Sequence, residues 1–211
     1  MAVKRLHLAA SEAAHRELTI AEDLADRELR HVMPVLDAGQ DSESEGYFVV
    51  MPVAERSLQD RLHTQGPMAE ADAVEVLSQI ASGLEQVKHL VHRDLKPGNV
   101  LFMDGHWCIA DLGIARFVEE STSARTLKDC LSPQYASPEQ WRFERATSAT
   151  DIYALGCIGH ALLTGAPPFT GGRAELQDKH LNAAPSDPPA CSPQMRTLLS
   201  IDATEGGRRE T

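Results

Sequence analysis

Between residues 91 and 102 the chain reads VHRDLKPGNVLF, which sets Asp94, Lys96 and Asn99 close together at the start of an apolar run. A carboxylate at 94 can orient a hydroxyl nucleophile and accept its proton. An ammonium two residues on, at 96, can neutralise a phosphoryl group in transit. The amide oxygen of Asn99 is a hard ligand suited to Mg²⁺, and Asp111 in the Asp111-Leu112-Gly113 triplet offers a second. Phosphoryl transfer asks a protein mainly for positioning and charge neutralisation, and this inventory supplies both. A merely solvated polar loop would account for none of the spacing.

Something must hold these groups in place. Residues 9–30, rich in Ala, Leu and Glu, read as a helix. Residues 31–39 (HVMPVLDAG) and 46–51 (GYFVVM) read as strands joined by the polar turn QDSESE. After a short connection over 52–57, SLQDRLHT begins a helix with Ser57 as its N-cap. From 70 to 88 the apolar residues Ala73, Leu77, Ile80, Leu84 and Val87 advance in steps of 4, 3, 4 and 3, the face of a buried helix. Asp104-Gly105 between two apolar runs predicts a hairpin over 100–110. Residues 111–140 show no regular period. Residues 150–163 are helical again, with Ile152, Leu155, Ile158 and Leu162 as the apolar positions and TGAPP as the stop. From Gly171 the chain is polar and Pro-rich, and the final GGRRET reads as frayed. This order is α+β and not the alternating βαβ of a doubly wound sheet.

Composition narrows the function classes. Twenty basic against 31 acidic residues leave a net charge of −11, which argues against general binding to nucleic acid or anionic membranes. The four cysteines, Cys108, Cys130, Cys157 and Cys191, have no metal-ligand spacing, and Cys108 and Cys157 sit in apolar stretches as small buried hydrophobes. A reducing compartment fits. No apolar run approaches the roughly 20 residues of a membrane span, and there is no signal-peptide core. The expectation is a soluble, cytoplasmic protein.

HRDLKPGN, then DLG, then Ser137-Pro138-Glu139, then DIYALG (151–156), in that order and at those gaps, resembles the eukaryotic-type protein kinase family, in its bacterial Ser/Thr-specific branch. The resemblance implies a two-lobe α+β fold: a partial N-lobe and hinge over 1–54, a mostly helical C-lobe over 55–200 and a disordered tail over 201–211. It makes Asp94 the catalytic base, Lys96 the phosphate-facing lysine, and Asn99 and Asp111 the Mg²⁺ ligands. His92 and Leu112 would stack in a hydrophobic spine, with Leu112 in place of the usual Phe. Asp151 would hold the catalytic-loop backbone from beneath; as a residue it also reads as an acid at a helix N-terminus.

Further upstream, Ala2-Val3-Lys4 resembles the strand whose lysine, here Lys4, grips the α- and β-phosphates; by itself Lys4 reads as a solvated lysine. Its ion-pair partner would be Glu22, with Glu17 and Glu12 as rivals. Val50 would be the gatekeeper, and Met51 C=O and Val53 N–H would meet the adenine; Pro52 between them has no N–H to give. Ser132 would bridge Asp94 and Lys96. Arg93 would pair with a phosphate on the loop holding Ser121, Thr122, Ser123 and Thr126, implying autophosphorylation between two copies of the chain. Glu139 would pair with a late arginine, which IDATEGGRRET echoes at Asp202 and Arg208. The family's Gly-rich loop precedes the lysine by two strands, and only three residues precede Lys4 here.

These features favour an ATP- and Mg²⁺-dependent kinase acting on Ser/Thr of proteins. The missing GxGxxG keeps open a second reading, a catalytically impaired kinase-like module that binds nucleotide or regulates. A small-molecule phosphotransferase shares the Asp and Asn roles, but Lys96 and the SPE-bounded segment speak against it.

Overall fold

A computed structural model describes residues 1–6, 20, 24–25, 27–40, 47–112, 132–188 and 191–199. Glu22, Glu17 and Glu12, the loop sites 121–126, and Asp202 and Arg208 lie outside these residues. Of the helix expected over 9–30, Ile20, Leu24 and Ala25 are helical, whereas residues 27–30 form a bend and a turn.

The chain opens with β1 (Ala2–Leu6). It returns as β2 (Asp37–Gln40) and β3 (Tyr47–Met51), and the three form an antiparallel sheet in the order β1-β3-β2. Lys4 and Ala38 both face Val49, a core residue of the central strand. The strand expected over 31–39 is therefore mostly absent, and its ladder begins only at Asp37. Pro34 brings no N–H to a ladder there. The residues before it are tied elsewhere: Met33 N donates to Ile109 O (2.8 Å), and Ile109 N donates to His31 O (2.9 Å).

Downstream, β4 (Arg56–Ser57) leads into α1 (Leu58–Gln65). Ser57 caps it as expected: its Oγ accepts from Asp60 N (3.0 Å), and Asp60 Oδ2 accepts from Ser57 N (3.1 Å). α2 (Glu70–Gln86) buries Ala73, Val76, Leu77, Ile80 and Gly83. Gly83 has a steric reason, since a Cβ there would collide with the His31 carbonyl. β5 (Val100–Met103) and β6 (His106–Ile109) form the expected hairpin, with positive φ at Asp104 and Gly105 (50° and 80°) as its two-residue turn requires. With β4 they make a second small sheet.

Four helices follow among the described residues: α3 (Pro138–Trp141), α4 (Ser148–Thr164), α5 (Arg173–Asn182) and α6 (Pro193–Leu199). α4 runs through the core on Ala154, Cys157, Ile158, Ala161 and Leu162, and Gly165 ends it in the left-handed conformation (φ 81°). Ile152 is not on that face and is 60% exposed. Two steps of three residues separate it from Ile158, and each step drifts about 60° around a 3.6-residue helix. The polar, Pro-rich region after Gly171 carries α5 and α6, in keeping with a mostly helical second half. Each buries only two side chains one turn apart, Leu176 with His180 and Met195 with Leu199, too sparse a stripe to show as a period. Leu58 of α1, Ile80 of α2, Leu95 of the 91–99 loop, Ile109 of β6, and Ile158 and Leu162 of α4 are essentially inaccessible and form one contiguous core. That core is the floor on which residues 91–99 rest. Cys108, Cys157 and Cys191 are buried free thiols.

Candidate active site

The 91–99 loop has little regular structure of its own, so its shape must be imposed from outside. Asp151, in the first turn of α4 and 4% exposed, does so by accepting from two consecutive backbone amides, His92 N (2.8 Å to Oδ2) and Arg93 N (2.9 Å to Oδ1). Burial pushes the Asp151 carboxyl above its usual range, while the two amide bonds favour the carboxylate. The His92 ring is buried beside it, and loss of hydration holds its pKa below the usual imidazole value. Arg93 is left-handed (φ 64°), a conformation that costs a non-glycine residue about 1–3 kcal/mol and persists only where its surroundings enforce it.

Asp94 follows at once. Its Oδ2 receives Lys96 Nζ at 2.9 Å, and its Oδ1 accepts from Ser132 Oγ at 2.6 Å. Lys96 also donates to Ser132 Oγ (2.8 Å), closing a triangle of carboxylate, ammonium and hydroxyl. Ser132 therefore stands between Asp94 and Lys96, as the resemblance implies. A short 3₁₀ turn over Pro97–Asn99 brings Asn99 back under Asp94. Asn99 Nδ2 donates to Asp94 O (2.8 Å) and to Asp94 Oδ2 (3.2 Å), which leaves Oδ1 as the amide's hard oxygen for a cation.

Beyond the hairpin, Ala110 N donates to Asn99 O (2.9 Å), so the segment carrying Asp111 is tied to the one carrying Asn99. Asp111 is also left-handed (φ 60°), and Leu112 after it is buried. Lys4 reaches from β1 to Asp111, with Nζ 2.8 Å from Oδ1, and each side chain is about one-third exposed. The pairing joins β1 to the segment that follows β6.

Five of the expected residues thus fall into two bonded groups, Asp94 with Lys96 and Asn99, and Lys4 with Asp111, which the Ala110 N–Asn99 O bond links. Glu22 lies outside the described residues, and the partner of Lys4 here is Asp111. Met51 ends β3, half-buried, with Val53 two residues on and 65% exposed. Glu139 accepts from Thr150 Oγ1 (2.6 Å). Gln140 went unnoticed in the sequence; its Nε2 donates to Arg93 O (2.7 Å). Its signal was the Ser-x-x-Gln pattern of a helix start, Ser137 to Gln140.

The donor set fits Mg²⁺ with a nucleotide. Asn99 and Asp111 offer hard oxygens, and Mg²⁺ commonly takes only one or two protein oxygens, completed by phosphate and water. No cluster of three or more His, Cys, Asp or Glu able to hold a metal alone occurs among the described residues. Lys4 and Lys96 set ammonium groups against the carboxylates of Asp111 and Asp94.

Residues 1–200 match the family described as protein kinase domain. The chain is 36% identical to a serine/threonine-protein kinase (drp72) of Corynebacterium efficiens, over 83% of this chain and 34% of that protein. It is 37% identical to serine/threonine-protein kinase PknA of Corynebacterium glutamicum, over 81% and 38% respectively. It is 35% identical to serine/threonine-protein kinase PknB of Mycobacterium leprae, over 66% and 24%. The chain thus spans between about a quarter and two-fifths of the length of these relatives.

Proposed function

The chain belongs to the protein kinase domain family, and from that premise we propose that it transfers the γ-phosphoryl group of ATP to Ser or Thr hydroxyls of proteins. The observation that carries the proposal is the Asp94–Ser132–Lys96 triangle, which holds a carboxylate and an ammonium side by side over a rigid core. Relatives named as serine/threonine-protein kinases support the same substrate class.

In this reading Asp94 accepts the proton of the attacking hydroxyl as its oxygen bonds to the γ-phosphorus. The bond from that phosphorus to the bridging oxygen breaks, with ADP as the leaving group. The orientation of Asp94 is fixed by Ser132 and Asn99. Lys96 and Lys4 offset the negative charge of the phosphate oxygens, the step in which electrostatic preorganisation counts most. Asn99 and Asp111 would hold Mg²⁺, whose chemistry is to neutralise charge on the phosphates. Met51 and Val53 would receive the adenine, and residues 1–54 and 55–200 would act as the two lobes. ATP, Mg²⁺ and reduced thiols at Cys108, Cys157 and Cys191 together suit the cytoplasm, and no helix among the described residues is long and apolar enough to cross a membrane. Transfer within a transient pair of chains would modify Ser or Thr of residues 121–126.

The test is incubation with labelled ATP, Mg²⁺ and casein, followed by phosphoamino-acid analysis. Label on serine or threonine is expected. Nucleotide binding with no label on any protein would instead favour a binding module.

A further inference from the structure

We infer that Gln140 is a positioning residue for Asp94, and that its side-chain amide couples the end of the 132–141 segment to the catalytic loop. The inference rests on the proposed kinase activity but adds a residue to it. Arg93, the residue before the base, is strained in the left-handed region, so its peptide groups need partners on every side. Asp151 takes the two N–H groups below, at His92 and Arg93. The opposite group, the Arg93 carbonyl, accepts from Gln140 Nε2 at 2.7 Å. The peptide unit that this carbonyl belongs to is the one linking Arg93 to Asp94, so Gln140 fixes the plane from which the Asp94 side chain departs.

The same amide works at its other end. Gln140 Oε1 accepts from Ser137 N (3.1 Å), reaching back to the residue that precedes α3. One bond needs an acceptor and the other a donor, and an amide supplies both at once. The two partners also settle which way the amide faces, since only Nε2 can donate to a carbonyl and only Oε1 can accept from an N–H. Gln140 is buried, so water does not replace a lost partner. Five residues before Ser137 lies Ser132, whose hydroxyl bonds Asp94. The 132–141 segment therefore touches the base twice, once through the Ser132 side chain and once through the Arg93 carbonyl. Displacing this segment must release Asp94 from both.

Gln140→Glu separates the two ends of the amide. Glutamate can still accept from Ser137 N but offers a carboxylate oxygen to the Arg93 carbonyl, where a donor is required. Gln140→Leu removes both bonds at similar size. Two readouts decide the matter. In phosphate transfer, kcat of Gln140→Glu is expected to fall about 10–100-fold, the scale of a misplaced reacting group, with KM for ATP changed less than about twofold. In amide hydrogen exchange, which needs no turnover, His92 and Arg93 should lose at least about tenfold in protection in both variants, with the middle of α2 and α4 unaffected. Unchanged protection at His92 and Arg93 would overturn the inference whether or not the chain is active. So would equal losses of kcat and folded fraction. An unmodified chain that fails to transfer phosphate would contradict the proposed activity alone, because the exchange measurement still decides the role of Gln140.

Discussion

Asp94, the proposed base, illustrates how little of a carboxylate's placement belongs to the carboxylate itself. Lys96, Ser132 and Asn99 each bond it, and the Ser132 hydroxyl does so from a segment 38 residues away. Replacing Ser132 by Ala removes a bond to the base and a bond to the lysine together. Transfer is expected to slow by about 10–100-fold with the fold intact, checked by steady-state kinetics beside circular dichroism. Lys4 pairs with Asp111 instead. Lys4→Met leaves Asp111 without its ion partner and would remove one of the two lysines proposed to face the phosphates, and at least about a 100-fold loss of kcat/KM is expected. A variant that kept wild-type kinetics would remove Lys4 from the site. At this scale the sequence was informative because HRDLKPGN places three functional groups within one loop, where local geometry alone brings them together. Gln140 and the Lys4–Asp111 pair were not legible in the same way. Ser-x-x-Gln marks Gln140 as part of a helix start, but its bond to Arg93 and the Lys4–Asp111 pair span 47 and 107 residues, which a local pattern does not record.

Elements whose signals are strong and local were the ones that could be read. The Ser57 cap, the α2 face and the Asp104-Gly105 turn each rest on a few adjacent residues obeying one rule, and each is present. Pro34 broke the expected strand, and α5 and α6 each bury too few side chains to display a period. The close approach of α2 to the residues before β2 yields a prediction of its own. Gly83→Ala would press a methyl group into the His31 carbonyl, and backbone cannot step aside as a flexible side chain can. A loss of about 1–3 kcal/mol in urea unfolding is expected. Unchanged stability would mean that the contact between α2 and His31 is looser than the structure shows. Asp151→Asn tests the α4 start: the loop loses one carboxylate acceptor of its two, and exchange at His92 or Arg93 should quicken.

For the molecule as a whole, two buried imidazoles set a dependence on pH. His180 is inaccessible, packed among Trp141, Tyr153 and Phe169, with Nδ1 2.7 Å from the Tyr153 hydroxyl, and burial lowers its pKa to about 4. His92 is shifted in the same direction by the same cause. Below pH 6.5 the unfolded chain takes up protons that the folded one refuses, so stability present at neutral pH is lost as pH falls towards 4. Asp151, whose carboxyl is raised by burial, works in the opposite sense and reduces the loss. A decline of the order of 2 kcal/mol between pH 7 and 4 is expected in urea titrations, diminished in His180→Phe. A flat profile would show that these imidazoles are hydrated in the folded protein. The central claim, that this assembly of loop, helix and strand performs phosphoryl transfer with Asp94 as base, is tested most directly by one comparison. Incorporation of label from ATP, in the presence of Mg²⁺, would be measured for the 211-residue chain and for its Asp94→Asn variant. The account predicts incorporation by the first and none by an equally folded second; equal incorporation by both would contradict it.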